Sequence, residues 1–198
     1  QSVEDIKACI KKLHDHGIRI HGMFVFGSDN DTVETIQQTV SFAKNNNIES
    51  VQFMILTPLP GTGFFREMEK QNRFITKDWG LYDAHHAVFE PKKMTYHELQ
   101  AETIKATARF YSIGQIIKRV VKLHMFNVSI KIYGRNLTKK WAKKNEYFLE
   151  YTKAITEKGR QIELTAKNTA DDIKERFRQL EISGVLARLN IAKTNLKW

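Results

Sequence analysis

The chain holds one cysteine and three prolines in 198 residues, and no run of about 18 apolar residues. A single thiol excludes an intramolecular disulfide framework and suits a reducing cytoplasm, where we expect the protein to work. The lack of a long apolar run, and of a charged-then-apolar leader, argues against membrane insertion or export. No low-complexity tract is present, and 41% apolar residues suffice for a sizeable core. Acidic charge is scarce only in the second half. Residues 1–98 hold 11 Lys/Arg against 13 Asp/Glu, whereas residues 99–198 hold 21 against 9. This division predicts a neutral, catalytic-looking segment followed by a basic one.

Two strand–turn–helix units stand out in the neutral segment. GIRIHGMFVFGSDNDTVETI reads as a buried strand over residues 18–26, a polar turn, and a helix over residues 32–45. Asp31 with Glu34 three residues on predicts a capping box, and Val33, Ile36, Val40 and Ala43 supply an apolar face. The second unit, SVQFMILTPLPGTGFF, is a β-branched and aromatic run ending in two prolines and a glycine. It predicts a strand over residues 50–56 that delivers a rigid loop to the rim of a sheet. Two such units predict parallel α/β architecture with a site at the carboxyl ends of the strands.

Elsewhere the pattern is helical. Val3, Ile6, Ile10 and Leu13 recur at helical spacing after Ser2 and before Gly17, with Cys9 beside them as an expected small buried hydrophobe. A helix that feeds a parallel strand implies a preceding strand. Residues 63–71 read as a short helix and residues 72–96 as an elaborated loop. Leu99, Thr103, Ala106 and Phe110 share a helical face; Ile113, Ile117 and Val120 continue one after a break. Val128, Ile130 and Ile132 alternate and predict a short strand. Leu137, Trp141, Phe148, Tyr151 and Ile155 mark a long helix closing at Gly159, and Ile173, Phe177 and Leu180 a last one.

The strings HGMFVFGSDNDTVETI, ILTPLPGTGFF and KDWGLYDAHHAVFEPKKMTYHELQ resemble the later part of radical S-adenosylmethionine (SAM) enzymes. The resemblance is to the subgroup with an amino-terminal cobalamin-binding domain; it covers residues 1–155 and is strongest in 18–100. It implies the carboxyl-terminal part of a partial (β/α)6 TIM-like barrel, residues 1–98, then a helical extension over 99–158 and a helical tail over 159–198. It also implies a 4Fe-4S cluster held by a CxxxCxxC loop, with SAM on the cluster. Residues 18–26 would be the fifth strand, whose Pro-Gly-Glu-Thr turn is replaced here by Asp29, Asn30, Asp31 and Thr32. Val25 would face the adenine or serve as ordinary barrel core. Leu56, Thr57 and Pro58, ending the sixth strand, would meet the adenine edge or only turn the chain. CxxxCxxC is absent, and so is a glycine-rich cobalamin segment. The expectation is therefore a fragment of a longer enzyme that modifies or methylates an unreactive carbon of a small or lipid-like substrate; an inactive remnant is the alternative.

Three further groups bear on function. Tyr82, Asp83, His85 and His86, between Trp79 and Phe89, are substrate-side candidates or the polar face of an anchored loop. His14, His16 and His21 lack zinc-site spacing, so no metal site is expected. Lys118, Arg119, Lys122, Lys131, Arg135, Lys139, Lys140, Lys143 and Lys144, with Tyr133 and Trp141 interleaved, form a solvated face, a dock for an acidic electron donor such as a flavodoxin, or a nucleic-acid surface. Trp141 shares the face of Leu137 and Phe148 and is expected in the core.

Overall fold

The computed structural model describes residues 2–121, 123 and 125–194; Lys122 of the basic group lies outside them. The chain forms two compact units, residues 1–153 and 154–198. The first is mixed α/β and mostly helical. Helix α1 (Val3–Asp15) leads to strand β1 (His21–Phe26), helix α2 (Val33–Asn45) to strand β2 (Ser50–Ile55), and both strands run parallel in one sheet. Helices α3 (Gly63–Lys70), α4 (Tyr96–Phe110), α5 (Ile113–Val121), α6 (Met125–Lys144) and α7 (Glu146–Thr194) follow. The second unit is helical through Thr194.

One face of the sheet is packed and the other open. Phe26, Val51, Phe53 and Ile55 are buried, with α4 packed on β2, α2 packed on α4, and Phe53 edge-on to Phe110 at 6.3 Å. His21, Met23 and Val25 alternate with them and are exposed. Period-two alternation in a parallel pair thus leaves one face unburied, where parallel strands usually bury both. Helices α2 and α4 bury the faces read from their spacing: Ile36, Val40 and Ala43 on one, Leu99, Thr103, Ala106 and Phe110 on the other.

Several expectations change. The cap of α2 is Thr32, paired reciprocally with Thr35, and not Asp31 with Glu34. The Asp31 carboxylate instead accepts the N–H groups of Gly27 and Ser28, both at 2.9 Å, and closes the strand-to-helix turn. Gly27 takes φ of 110° there, and a Cβ would meet Leu99 at 3.0 Å. Cys9 is exposed, because of its helix only Ile10 turns fully inward. Ile113, Ile117 and Val120 are exposed, whereas Arg119 on the same helix is buried.

The predicted strand at Val128–Ile130–Ile132 is part of α6. Val128 and Lys131, three apart, bury one helical face, so tertiary packing overrides the β-branched composition. The predicted stop at Gly159 is absent: α7 runs through it with no positive φ, at the ordinary cost of about 1 kcal/mol for an interior glycine. The break falls at Asn145, between α6 and α7. The last predicted helix, around Ile173, Phe177 and Leu180, is a stretch of α7 whose three side chains lie outside the described ones.

Candidate functional site

The carboxyl end of the sheet is built by two turns. Leu56 N–H donates to Phe26 C=O at 2.8 Å, the last rung of the parallel ladder. Beyond it, the Leu56 carbonyl and the Thr57 N–H have no hydrogen bond among the described residues. The Thr57 hydroxyl turns back to Ile55 C=O at 3.1 Å, and Pro58 is fully buried. Val25 is 51% exposed on the open face, opposite Met54 in the register. The strand end therefore presents an amide donor, a carbonyl acceptor and an apolar side chain around a fixed proline.

Asp29 anchors this rim. Its carboxylate pairs with the Arg73 guanidinium and with Lys92 Nζ at 3.0 Å, and Arg73 Nε donates to Glu90 C=O at 2.6 Å. The Arg73 hydrogen bond, despite some desolvation, holds the Asp29 carboxyl down at about 2. Residues 73–75 pair antiparallel with 88–90, giving the expected loop a short ladder around buried Phe89.

The four loop candidates separate. The Tyr82 hydroxyl donates to Thr76 C=O at 3.1 Å, and its ring packs on exposed Trp79 at 4.8 Å. Asp83 accepts the N–H groups of His85 and His86 and faces the His86 ring at 2.9 Å. Burial works to raise the Asp83 carboxyl, but these hydrogen bonds outweigh it and hold it below its usual value. His86 is buried between Asp83, Asn145 Oδ1 at 2.9 Å, Trp141 and Phe148. Of the four side chains, the His85 imidazole alone has no hydrogen bond among the described residues; its ring lies 6.3 Å from that of Trp141.

Sequence reasoning missed three residues. Gln100, fully buried on α4, donates to His85 C=O at 2.9 Å and accepts Ala87 N–H at 2.7 Å, fixing the backbone that carries His85. Its only signal was a polar residue on an apolar helical face. Tyr111 caps the outer edge of β2 at Val51. Lys131 is 1% exposed, with Nζ 3.1 Å from the Phe110 ring centroid. Desolvation, with Arg119 and Lys44 nearby and Glu49 opposing, drives its ammonium pKa down to about 7. The basic group is thus divided: Arg119 and Lys131 are buried, whereas Lys139, Lys140, Lys143 and Lys144 are exposed. Trp141 is half-buried rather than in the core.

Among the described residues no three His, Cys, Asp or Glu side chains converge, and no helix is long and apolar enough to cross a membrane. Exposed Cys9 cannot by itself meet the three-thiolate demand of a 4Fe-4S cluster, so this chain's residues do not fit that group.

No family model matches the chain. It is 39% identical over 118 residues, 60% of its length, to the bacteriochlorophyllide d C-12(1)-methyltransferase of Chlorobaculum tepidum, and covers 25% of that protein. It is 30% identical over 61% of its length to the C-8(2)-methyltransferase of the same organism, covering 27% of it. An anaerobic magnesium-protoporphyrin IX monomethyl ester cyclase of Rubrivivax gelatinosus is 28% identical over 56% of the chain, with 20% of that protein covered. The chain thus spans about a quarter of the length of the curated methyltransferases it matches.

Proposed function

We propose that this chain is the carboxyl-terminal part of a radical SAM enzyme that modifies, and most simply methylates, an unreactive carbon of a flat tetrapyrrole-type substrate. The observation that carries the reading is the match to two bacteriochlorophyllide methyltransferases together with an unpaired donor and acceptor at the strand end. The two βα units are the last part of a partial barrel, whose interior is the open face bearing His21, Met23 and Val25.

Within that enzyme the chain's task is to hold the adenosine. The Leu56 carbonyl accepts from the adenine amino group, the Thr57 N–H donates to a ring nitrogen, and Val25 forms an apolar wall beside them. Pro58 and the Asp31 turn keep these groups still before SAM arrives, which limits the ordering cost of binding. A cluster held elsewhere in the enzyme, with SAM on it, would supply the radical chemistry. The cluster's thiolates belong to the remainder of the enzyme, and cobalamin is assigned no residue of this chain.

The test is anaerobic turnover of the intact enzyme, with 5′-deoxyadenosine as the readout. Thr57→Pro deletes the N–H donor and is expected to raise the KM for SAM about tenfold, as loss of one good hydrogen bond does. An intact enzyme that forms no 5′-deoxyadenosine under reducing conditions overturns the reading.

A further inference from the structure

A cavity of about 630 Å³ lies between the outer edge of β2, α4 and α6, within the roughly 300–1,000 Å³ range of small-molecule sites. Its walls are largely apolar, with Ile104 from α4 and Ile130, Tyr133, Leu137 and Trp141 from α6. Among the polar groups of its lining, which include His21, Ser50 and Gln52, three features bear on an occupant.

The first is main chain. Ser50 and Leu56 donate to β1, so the N–H and C=O groups of Val51, Phe53 and Ile55 point to the other edge. Val51 is satisfied by the Tyr111 hydroxyl and Ile55 N–H by Ala84 C=O at 2.7 Å. Phe53, between them, lines the cavity, and its N–H and C=O have no partner among the described residues. Buried main-chain groups are nearly always paired, so an unpaired couple facing a cavity points to an occupant.

The second is His85, which also lines the cavity and has no hydrogen bond for its ring among the described residues. Gln100 donates to the His85 C=O and accepts the Ala87 N–H, so the imidazole is presented on a fixed support. The third is charge: Lys140 and Lys144, one turn apart on α6, are exposed and belong to the lining. Among the described residues no carboxylate lines the cavity.

We propose that this cavity binds a planar, conjugated macrocycle bearing carboxylates, with Trp141 and Tyr133 against its plane, Lys140 and Lys144 on its carboxylates, and His85 as axial ligand to its central metal. This rests on the substrate class proposed above and adds a binding site for it along the outer edge of β2 from Ser50 to Phe53. Phe53 N–H and C=O then meet a polar substituent or its bound water at the ring's edge. Neutral imidazole is a suitable fifth ligand for a metal already held by four ring nitrogens.

The test uses the full chain with zinc protoporphyrin IX and metal-free protoporphyrin IX as probes. Both are expected to bind saturably at one site, and the zinc probe to show the red-shifted Soret band of imidazole ligation. His85→Ala abolishes that shift while leaving the metal-free probe bound. Lys140→Glu with Lys144→Glu weakens both probes about tenfold, but not the protoporphyrin dimethyl ester, which has no carboxylates. Thr107→Trp fills the cavity from α4 and Leu137→Trp from α6; each is expected to block binding, with melting temperature as the check on folding. Saturable binding that survives both filled variants, no binding at all, or a Soret shift retained in His85→Ala overturns the site as drawn. None of these measurements needs SAM or a cluster. Binding by a chain whose intact enzyme forms no 5′-deoxyadenosine would therefore remove the radical reading alone, and radical turnover without probe binding would remove this site alone.

Discussion

The Tyr111 hydroxyl donates to Val51 C=O at 2.8 Å and accepts Val51 N–H at 3.0 Å, so one side chain satisfies both main-chain groups of an edge-strand residue. It does so because α4 ends at Phe110 and turns Tyr111 against the sheet. The same contact bounds the cavity and protects the β2 edge from pairing with another chain.

Tyr111→Phe leaves both Val51 groups buried and unpaired. We expect a loss of about 1–3 kcal/mol in urea unfolding, with the packed rings retained. Burial also raises the phenol above its usual 10. Its stabilisation is therefore complete below pH 10 and is lost as pH rises through the folded value. The wild-type protein should lose stability there faster than Tyr111→Phe does.

Gly134 and Gly159 should respond to alanine with opposite signs. A Cβ on Gly134 would meet the Tyr111 ring at 2.5 Å, so Gly134→Ala pushes α6 off the residue that caps β2. Gly159 has nothing within 4 Å, and alanine there should add about 0.5–1 kcal/mol through helix propensity. Paired thermal melts read both signs, and a stabilising Gly134→Ala would contradict the close approach of α6 to Tyr111.

Asp29 joins the turn after β1 to the ladder at 73–75 and 88–90 through Arg73. Because its folded pKa, about 2, lies below the ordinary carboxylate value, its stabilisation is full above about pH 4 and vanishes as pH falls toward 2. Asp29→Asn should lower stability at pH 7 by about 1 kcal/mol, since the pair is partly exposed, and should flatten the acid limb of the stability curve. An unchanged acid limb would show that Arg73 does not hold Asp29 in solution.

Lys131 predicts a slope of the same sign in a higher pH window. Its folded pKa of about 7 lies below its ordinary 10.5, so the folded state prefers the neutral amine. Stability contributed by this group is complete above pH 10.5, declines as pH falls, and levels off below 7. Lys131→Met should remove that slope and be most stabilising, relative to wild type, at and below pH 7. Nζ chemical-shift titration gives the pKa directly; a value near 10 would contradict the burial.

The sequence made the regular parts of this fold readable because they follow from periodicity. The apolar faces of α2 and α4 and both parallel strands obey spacing that local chemistry dictates. The candidate rim at Val25 and Leu56–Thr57–Pro58 followed from residues that end a strand and from resemblance. What stayed hidden depends on contacts between distant segments. Lys131 reads as a surface cation until Phe110 and Tyr111 are placed around it. His85 and His86 are adjacent and chemically identical, yet Asp83 and Asn145 occupy one and leave the other facing a cavity. The alternation at Val128–Ile130–Ile132 carried a strand pattern that the helix packing of Val128 and Lys131 overrode.

Whether this chain works as part of a longer radical enzyme is read from the mass and iron content of the protein purified without oxygen from its native source. We predict a polypeptide well above this chain's 23.1 kDa, carrying about four irons each as one 4Fe-4S cluster requires. An iron-free polypeptide of 23.1 kDa, with no partner supplying a cluster, would contradict the account.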